Sequence, residues 1–178
     1  MIVATLGDSI TQGSPGETSW QEWAAPKHPG VEFRNHGING QRTDEILARF
    51  DDAVAGADAL IVQGGINDIV QGREIEPAAD NLREMVRRGK ALGLPVALAN
   101  VLPWNNGWPE AEPKVRRLNE LVAEIAREED VPLLQFHDTL EDPDGPGRMK
   151  AEWTFEGNHP SVEGYRRLGE QAFRLPSN

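Results

Sequence analysis

A serine stands in a glycine turn close to the start of the chain: "GDSIT", Gly7 to Thr11, directly follows the short apolar run Ile2 to Leu6. A serine hydroxyl alone is a weak nucleophile. It attacks an acyl carbon only when an imidazole takes its proton, a further group orients that imidazole, and hydrogen-bond donors face the oxyanion that forms. The chain has four histidines to supply the imidazole. His28, between Pro26 and Pro29, reads as a solvated loop side chain, and His36 fits a structural role at a strand end. His137, with Asp138 beside it, is a rival base. His159 is better placed. In "FEGNHPS" it follows Glu156 by one turn, which brings a carboxylate to Nδ1 and leaves Nε2 free for Ser9.

These residues need elements to hold them. Ile2 to Leu6, Val31 to Asn35, Ala59 to Gln63, Val96 to Val101 and Val131 to Gln135 are short apolar or alternating runs bounded by Gly, Pro, Asn or Asp, and each predicts a strand. Helical spacing joins Ile46, Leu47, Phe50 and Val54; Leu82, Met85, Val86 and Leu92; Val115, Leu118, Leu121, Val122 and Ile125; and Val162, Tyr165, Leu168 and Ala172. Thr43 and Ser161 are candidate N-caps, and Gly93 is a candidate helix stop. Strand and helix alternate, which predicts an α/β fold: a three-layer α/β/α sandwich around a mostly five-stranded parallel sheet. Residues 1–178 are expected to form a single domain.

In such folds active groups gather beyond the carboxyl ends of the strands. Three glycine turns fall there: "GDSIT" after the first strand, "HGINGQRT" after the second and "GGINDI" after the third. Each alone is explained by Gly and Asn supplying a positive φ; their convergence at one end favours a site. Asp8 and Asp68 read as turn or cap residues, and Asn39 and Arg42 as loop residues within reach of a substrate. The loops Leu102 to Pro113 and His137 to Pro160 are long enough to be functional or mobile. Trp104 and Trp108 in the first of them offer an apolar wall for an acyl chain, a stacking face for a sugar, or simple loop packing. Trp20 and Trp23 are assigned to the core.

The formal net charge of -11 argues against a protein built to neutralise nucleic acid or to sit on an anionic membrane, so a neutral small molecule is the expected partner. With no cysteine, thiolate nucleophiles and cysteine metal sites are excluded. The N-terminal apolar run is too short for a signal peptide or a membrane span, which predicts a cytoplasmic protein without stable membrane insertion. There is no G-x-S-x-G elbow, phosphate-binding loop, dinucleotide fingerprint or H-E-x-x-H pair, so neither metal nor cofactor is expected.

Together these motifs resemble the SGNH hydrolases, also called the GDSL esterase and lipase family, over nearly the whole length. The resemblance implies a flavodoxin-like sheet, Ser9 as nucleophile and His159 in "NHP" as base. It further implies an oxyanion hole made of the Ser9 N–H, the Gly40 N–H in "GING" and the Asn67 side-chain amide in "GGINDI". One position departs from the family pattern: Glu156 stands where an aspartate is usual. Glutamate reaches about 1.5 Å farther. It is read as the triad acid, against a surface residue beside a His bonded elsewhere, or a weakened site. The expected function is a serine esterase acting on small, short-chain carboxylic esters through an acyl-enzyme. The alternatives are an O-acetyl esterase on acetylated sugars and a non-catalytic carbohydrate- or acyl-binding module.

Overall fold

The computed structural model describes residues 1–13 and 19–177. Strands β1 (Ile2–Gly7), β2 (Glu32–Gly37), β3 (Ala59–Val62), β4 (Val96–Ala99) and β5 (Leu133–Leu134) form one parallel sheet in the order β2-β1-β3-β4-β5. The helices, in chain order, are α1 (Ser9–Gln12), α2 (Trp20–Ala24), α3 (Thr43–Ala48), α4 (Phe50–Val54), α5 (Ile66–Val70), α6 (Ile75–Ala91), α7 (Glu112–Glu128), α8 (Phe136–Leu140) and α9 (Val162–Arg167). A short antiparallel pair, β6 (Glu141–Asp142) and β7 (Gly145–Met149), follows α8.

Side chains alternate along a strand, so a sheet covered on both faces needs two cores. Ala4, Leu6, Leu60, Val62 and Leu98 face one core with Ile46, Phe50, Leu82, Met85, Leu118, Val122 and Ile125 from α3, α4, α6 and α7. Val3, Ala59, Ile61, Ala97 and Ala99 face the other, with Trp20, Phe136, Tyr165, Leu168 and Phe173. Trp20 is fully buried there, edge-on to Phe33 and Phe136 and stacked on Phe173. The three expected layers are present.

The strand order reverses between β1 and β3, which makes their carboxyl ends the switch point where such sheets open a crevice. Ser9 follows β1, and Asn67 follows β3.

Three local expectations change. The helix expected from Ile46 to Val54 is two helices: at Arg49 the backbone leaves helical geometry (φ -111°, ψ 19°). Thr43 is the first helical residue rather than the cap. Arg42 occupies that position, its N–H donating to Glu45 Oε2 at 2.9 Å, while the Thr43 hydroxyl is used by Asp68. The last helix continues past Arg167 as a wider π-type turn, Leu168–Ala172. Ser161 caps α9 through Gly164 N–H, and Gly93, at φ 77°, ends α6, both as expected.

Candidate active site

Ser9 opens α1 immediately after β1. Asp8 caps this helix, its Oδ1 accepting from the Ile10 N–H at 2.9 Å. The turn is tight enough to require glycine before it: a Cβ on Gly7 would lie 2.3 Å from Thr11 Oγ1 and 2.5 Å from Gln63 Oε1. The Gln63 oxygen in turn accepts from Asp8 N–H and the Thr11 hydroxyl, which ties the serine turn to the end of β3. Only a small part of Ser9 is exposed.

The loop before α9 delivers the imidazole. His159 Nε2 lies 3.0 Å from Ser9 Oγ, and Nδ1 lies 2.9 Å from Glu156 Oε1. The same Glu156 oxygen accepts the backbone N–H groups of Asn158 at 3.1 Å and His159 at 2.6 Å. Burial works to raise the Glu156 pKa, but the N–H and imidazole of His159 and the N–H of Asn158 outweigh it and hold the carboxyl below its ordinary value. An ionised Glu156 accepts a proton-bearing Nδ1, so Nε2 is the free base facing the serine. The extra carbon of glutamate is accommodated because the side chain folds back onto its own loop. Serine, imidazole and carboxylate form one continuous chain.

The two other glycine turns meet this one. Gly37 is in register with Gly7, and the Ile38 N–H donates to the Gly7 carbonyl at 3.1 Å. Gly40 has φ 79°, and its N–H has no acceptor among the described residues; the same is true of the Ser9 N–H. Asn67 gives one amide hydrogen to the Gln41 carbonyl at 3.0 Å, and a primary amide has a second. Gly40 is further fixed through its carbonyl, which accepts from Gln71 Nε2 at 3.2 Å. A serine–imidazole–carboxylate chain beside free N–H donors has the groups that acyl transfer requires.

The family model for the GDSL-like Lipase/Acylhydrolase family matches residues 5–167, spanning all of these turns. The chain belongs to this family. A G-D-S-L family lipolytic protein from Desulfitobacterium hafniense DCB-2 is similar in structure, with a TM-score of 0.84, 26% identity and 95% of each chain covered. Two further structures share the fold. A G-D-S-L family member from Veillonella parvula DSM 2008 has a TM-score of 0.82 at 23% identity, covering 94% of this chain and 93% of its own. A variant of an acetyl-xylooligosaccharide esterase from Geobacillus has 0.74 at 20%, covering 94% and 90%. A search of curated proteins returns no match. Among the described residues no helix is long and apolar enough to cross a membrane.

The remaining sequence candidates in this GDSL family chain divide by contact. Trp104 donates its indole N–H to Asn158 Oδ1, beside His159, while its ring packs against the first core. Trp108 is more than a third exposed and lies under Arg148, 5.7 Å from the ring centroid. His28 packs edge-on against Phe173. His36 sits at the end of β2, its pKa lowered by burial and by the charges of Arg49 and Arg34. His137, the rival base, has Nδ1 3.4 Å from Asp138 Oδ1 and sits on α8; Ser9 pairs with His159 instead. Arg42 bonds Asp44 and Gln71, and the Asn39 N–H bonds Gln12 Oε1.

Asp8 and Asp68 are both buried. Asp68 accepts the Thr43 N–H at 2.9 Å and its hydroxyl at 2.8 Å, which makes it the link between α5 and α3 expected of a cap residue. The Asp8 pKa is pushed up to about 6, chiefly by burial, against which the Ile10 N–H and the Gln63 side chain act. Its Oδ2 has no hydrogen-bond partner among the described residues.

Sequence reasoning misses how the loop from Glu156 to His159 is held. Asn105 N–H donates to the Gly157 carbonyl at 2.9 Å, and Asn106 Nδ2 to the Glu156 carbonyl at 2.9 Å. The Asn105 side chain also bridges to Met149, donating to its carbonyl and accepting its N–H. The string "WNN" in a long Gly- and Pro-rich loop was the only available signal.

Proposed function

We propose that the chain is a serine esterase that hydrolyses small carboxylic esters through an acyl-enzyme intermediate. The observation that carries this reading is the unbroken line from Glu156 through His159 to Ser9, with bonds of 2.9 and 3.0 Å. Ser9 Oγ attacks the ester carbon as its proton passes to His159 Nε2. The negative charge that develops on the carbonyl oxygen is met by the Ser9 N–H, the Gly40 N–H and the second hydrogen of the Asn67 amide. Each such donor is worth about 10²–10³ in rate.

Collapse of the tetrahedral intermediate breaks the bond to the alkoxy oxygen, and His159 returns the proton to the departing alcohol. Water then attacks the acyl-Ser9 ester, giving its proton to the same Nε2; as the intermediate collapses, the bond to Ser9 Oγ breaks, that proton passes to Oγ, and the acid is released. Glu156 stays ionised throughout; it fixes the tautomer and balances the imidazolium formed in each half-reaction. Membership of the acylhydrolase family supports the reaction class.

The test is hydrolysis of p-nitrophenyl acetate, butyrate and octanoate by wild type and Ser9→Ala. Wild type is expected to turn over the short esters, and Ser9→Ala to lose at least about 10³-fold in kcat. Equal turnover by the two proteins would remove Ser9 from the mechanism.

A further inference from the structure

Arg49 lies between α3 and α4, where a charged residue on an amphipathic helix normally points to water. Its guanidinium instead reaches under the loops that carry the site. Nη2 donates to the Gly7 carbonyl at 2.7 Å, Nη1 to the His36 carbonyl at 2.6 Å, and Nε to Gln41 Oε1 at 2.6 Å. These acceptors belong to three different chain segments: the end of β1, the end of β2 and the Gly40 turn.

The Gly7 and Gln41 acceptors stand close in sequence to donors assigned to the oxyanion, and the His36 acceptor lies on the strand that leads into the Gly40 turn. The Gly7–Asp8 peptide precedes the Ser9 N–H. Arg49 holds its carbonyl, and Gln63 Oε1 holds its N–H at 3.2 Å. Gln41 follows Gly40, and its own carbonyl holds the Asn67 amide at 3.0 Å. The His36 carbonyl lies one residue before the end of β2, the strand from which the Gly40 turn departs.

We propose that Arg49 is a positioning residue that sets the Ser9 N–H, the Gly40 N–H and the Asn67 amide in register around the oxyanion. This rests on the serine esterase reading. A planar guanidinium presents its N–H groups in a fixed fork, so the two strand ends and the turn bound to one fork cannot drift independently; an ammonium has no such geometry. Oxyanion donors act only if they are placed before the charge develops, and a displacement of about 1 Å costs about 10²-fold in rate. The effect of Arg49 therefore falls on kcat.

The experiment compares wild type, Ser9→Ala, Arg49→Lys, Asn67→Ala and the Arg49→Lys/Asn67→Ala double variant on p-nitrophenyl acetate, with Tm recorded for each. Arg49→Ala and Asn67→Ala are also assayed with millimolar guanidinium chloride. Arg49→Lys is expected to lose about 10²-fold in kcat with KM changed by less than about twofold. The double variant is expected to lose much less than the product of the single losses, because both substitutions disable one hole. Guanidinium is expected to restore part of the kcat of Arg49→Ala and none of that of Asn67→Ala.

Wild-type kcat in Arg49→Lys, or losses that multiply in full, would overturn the proposal. So would a kcat that falls only in step with Tm and is not rescued by guanidinium. Turnover lost in Ser9→Ala but indifferent to Arg49→Lys sinks this proposal alone. Turnover that survives Ser9→Ala removes the esterase reading and this inference with it.

Discussion

Glu156 and Asp8 show how two carboxylates near one serine take opposite roles through their surroundings. Glu156 gathers two backbone N–H groups and an imidazole, and these hold it ionised. Glu156→Gln keeps the shape but accepts poorly and can favour the wrong tautomer of His159. It should lower kcat by at least about 10²-fold with little change in KM; steady-state kinetics on p-nitrophenyl acetate check this, and unchanged kcat would exclude Glu156 from the triad. Asp8 has one oxygen on a helix N–H and the other without a partner, in a fully buried position. Its pKa is raised from 3.8 to about 6 in the fold, so the folded state binds this proton more tightly than the unfolded chain. The sign follows: above pH 6 the buried charge destabilises the fold by on the order of 3 kcal/mol, and that cost disappears as pH falls toward 3.8. Asp8→Asn lacks this titration. Urea unfolding should show wild type gaining stability relative to Asp8→Asn between pH 7 and pH 4.5; a difference that stays constant with pH would contradict the assignment.

At the scale of elements, the site depends on links between helix entries and strand ends. Asp68 on α5 satisfies both the N–H and the hydroxyl of Thr43 at the start of α3. Asp68→Ala leaves those two buried donors unpaired, and a loss of about 1–3 kcal/mol is expected in urea unfolding at pH 7. A cost near zero would mean that the two helices enter independently. Such links explain what could be read from the chain and what could not. Strands and long helices were legible because burial on a sheet or on one helix face imposes a period on neighbouring residues, as Leu82, Met85 and Val86 show on α6. The serine, glycine, asparagine and histidine turns were legible because each lies at the end of such an element. The break at Arg49 was not: Ile46, Leu47, Phe50 and Val54 keep helical spacing across it, and periodicity does not register one residue leaving helical φ and ψ. Thr43 has the sequence signature of a cap because local sequence does not reveal that its hydroxyl is taken by Asp68, in a later helix. For the same reason the sequence leaves Trp104 open between an acyl wall, a sugar-stacking face and loop packing: it does not show that the indole N–H bonds Asn158 across 54 positions.

At the scale of the molecule, the parallel sheet brings the ends of β1, β2 and β3 side by side, so turns separated by about thirty residues form one surface. The two cores hold that sheet from both faces, and the loops beyond α7 bring Glu156 and His159 back over β1. A formal charge of -11 opposes the approach of a polyanion. The central claim is that this architecture activates Ser9. Its most direct test is labelling with a serine-directed phosphonate ester, followed by peptide mass spectrometry on wild type and Ser9→Ala. The account predicts one phosphonate per wild-type chain, on the peptide containing Ser9, and none on Ser9→Ala. A label on another residue, or undiminished labelling of Ser9→Ala, would contradict it.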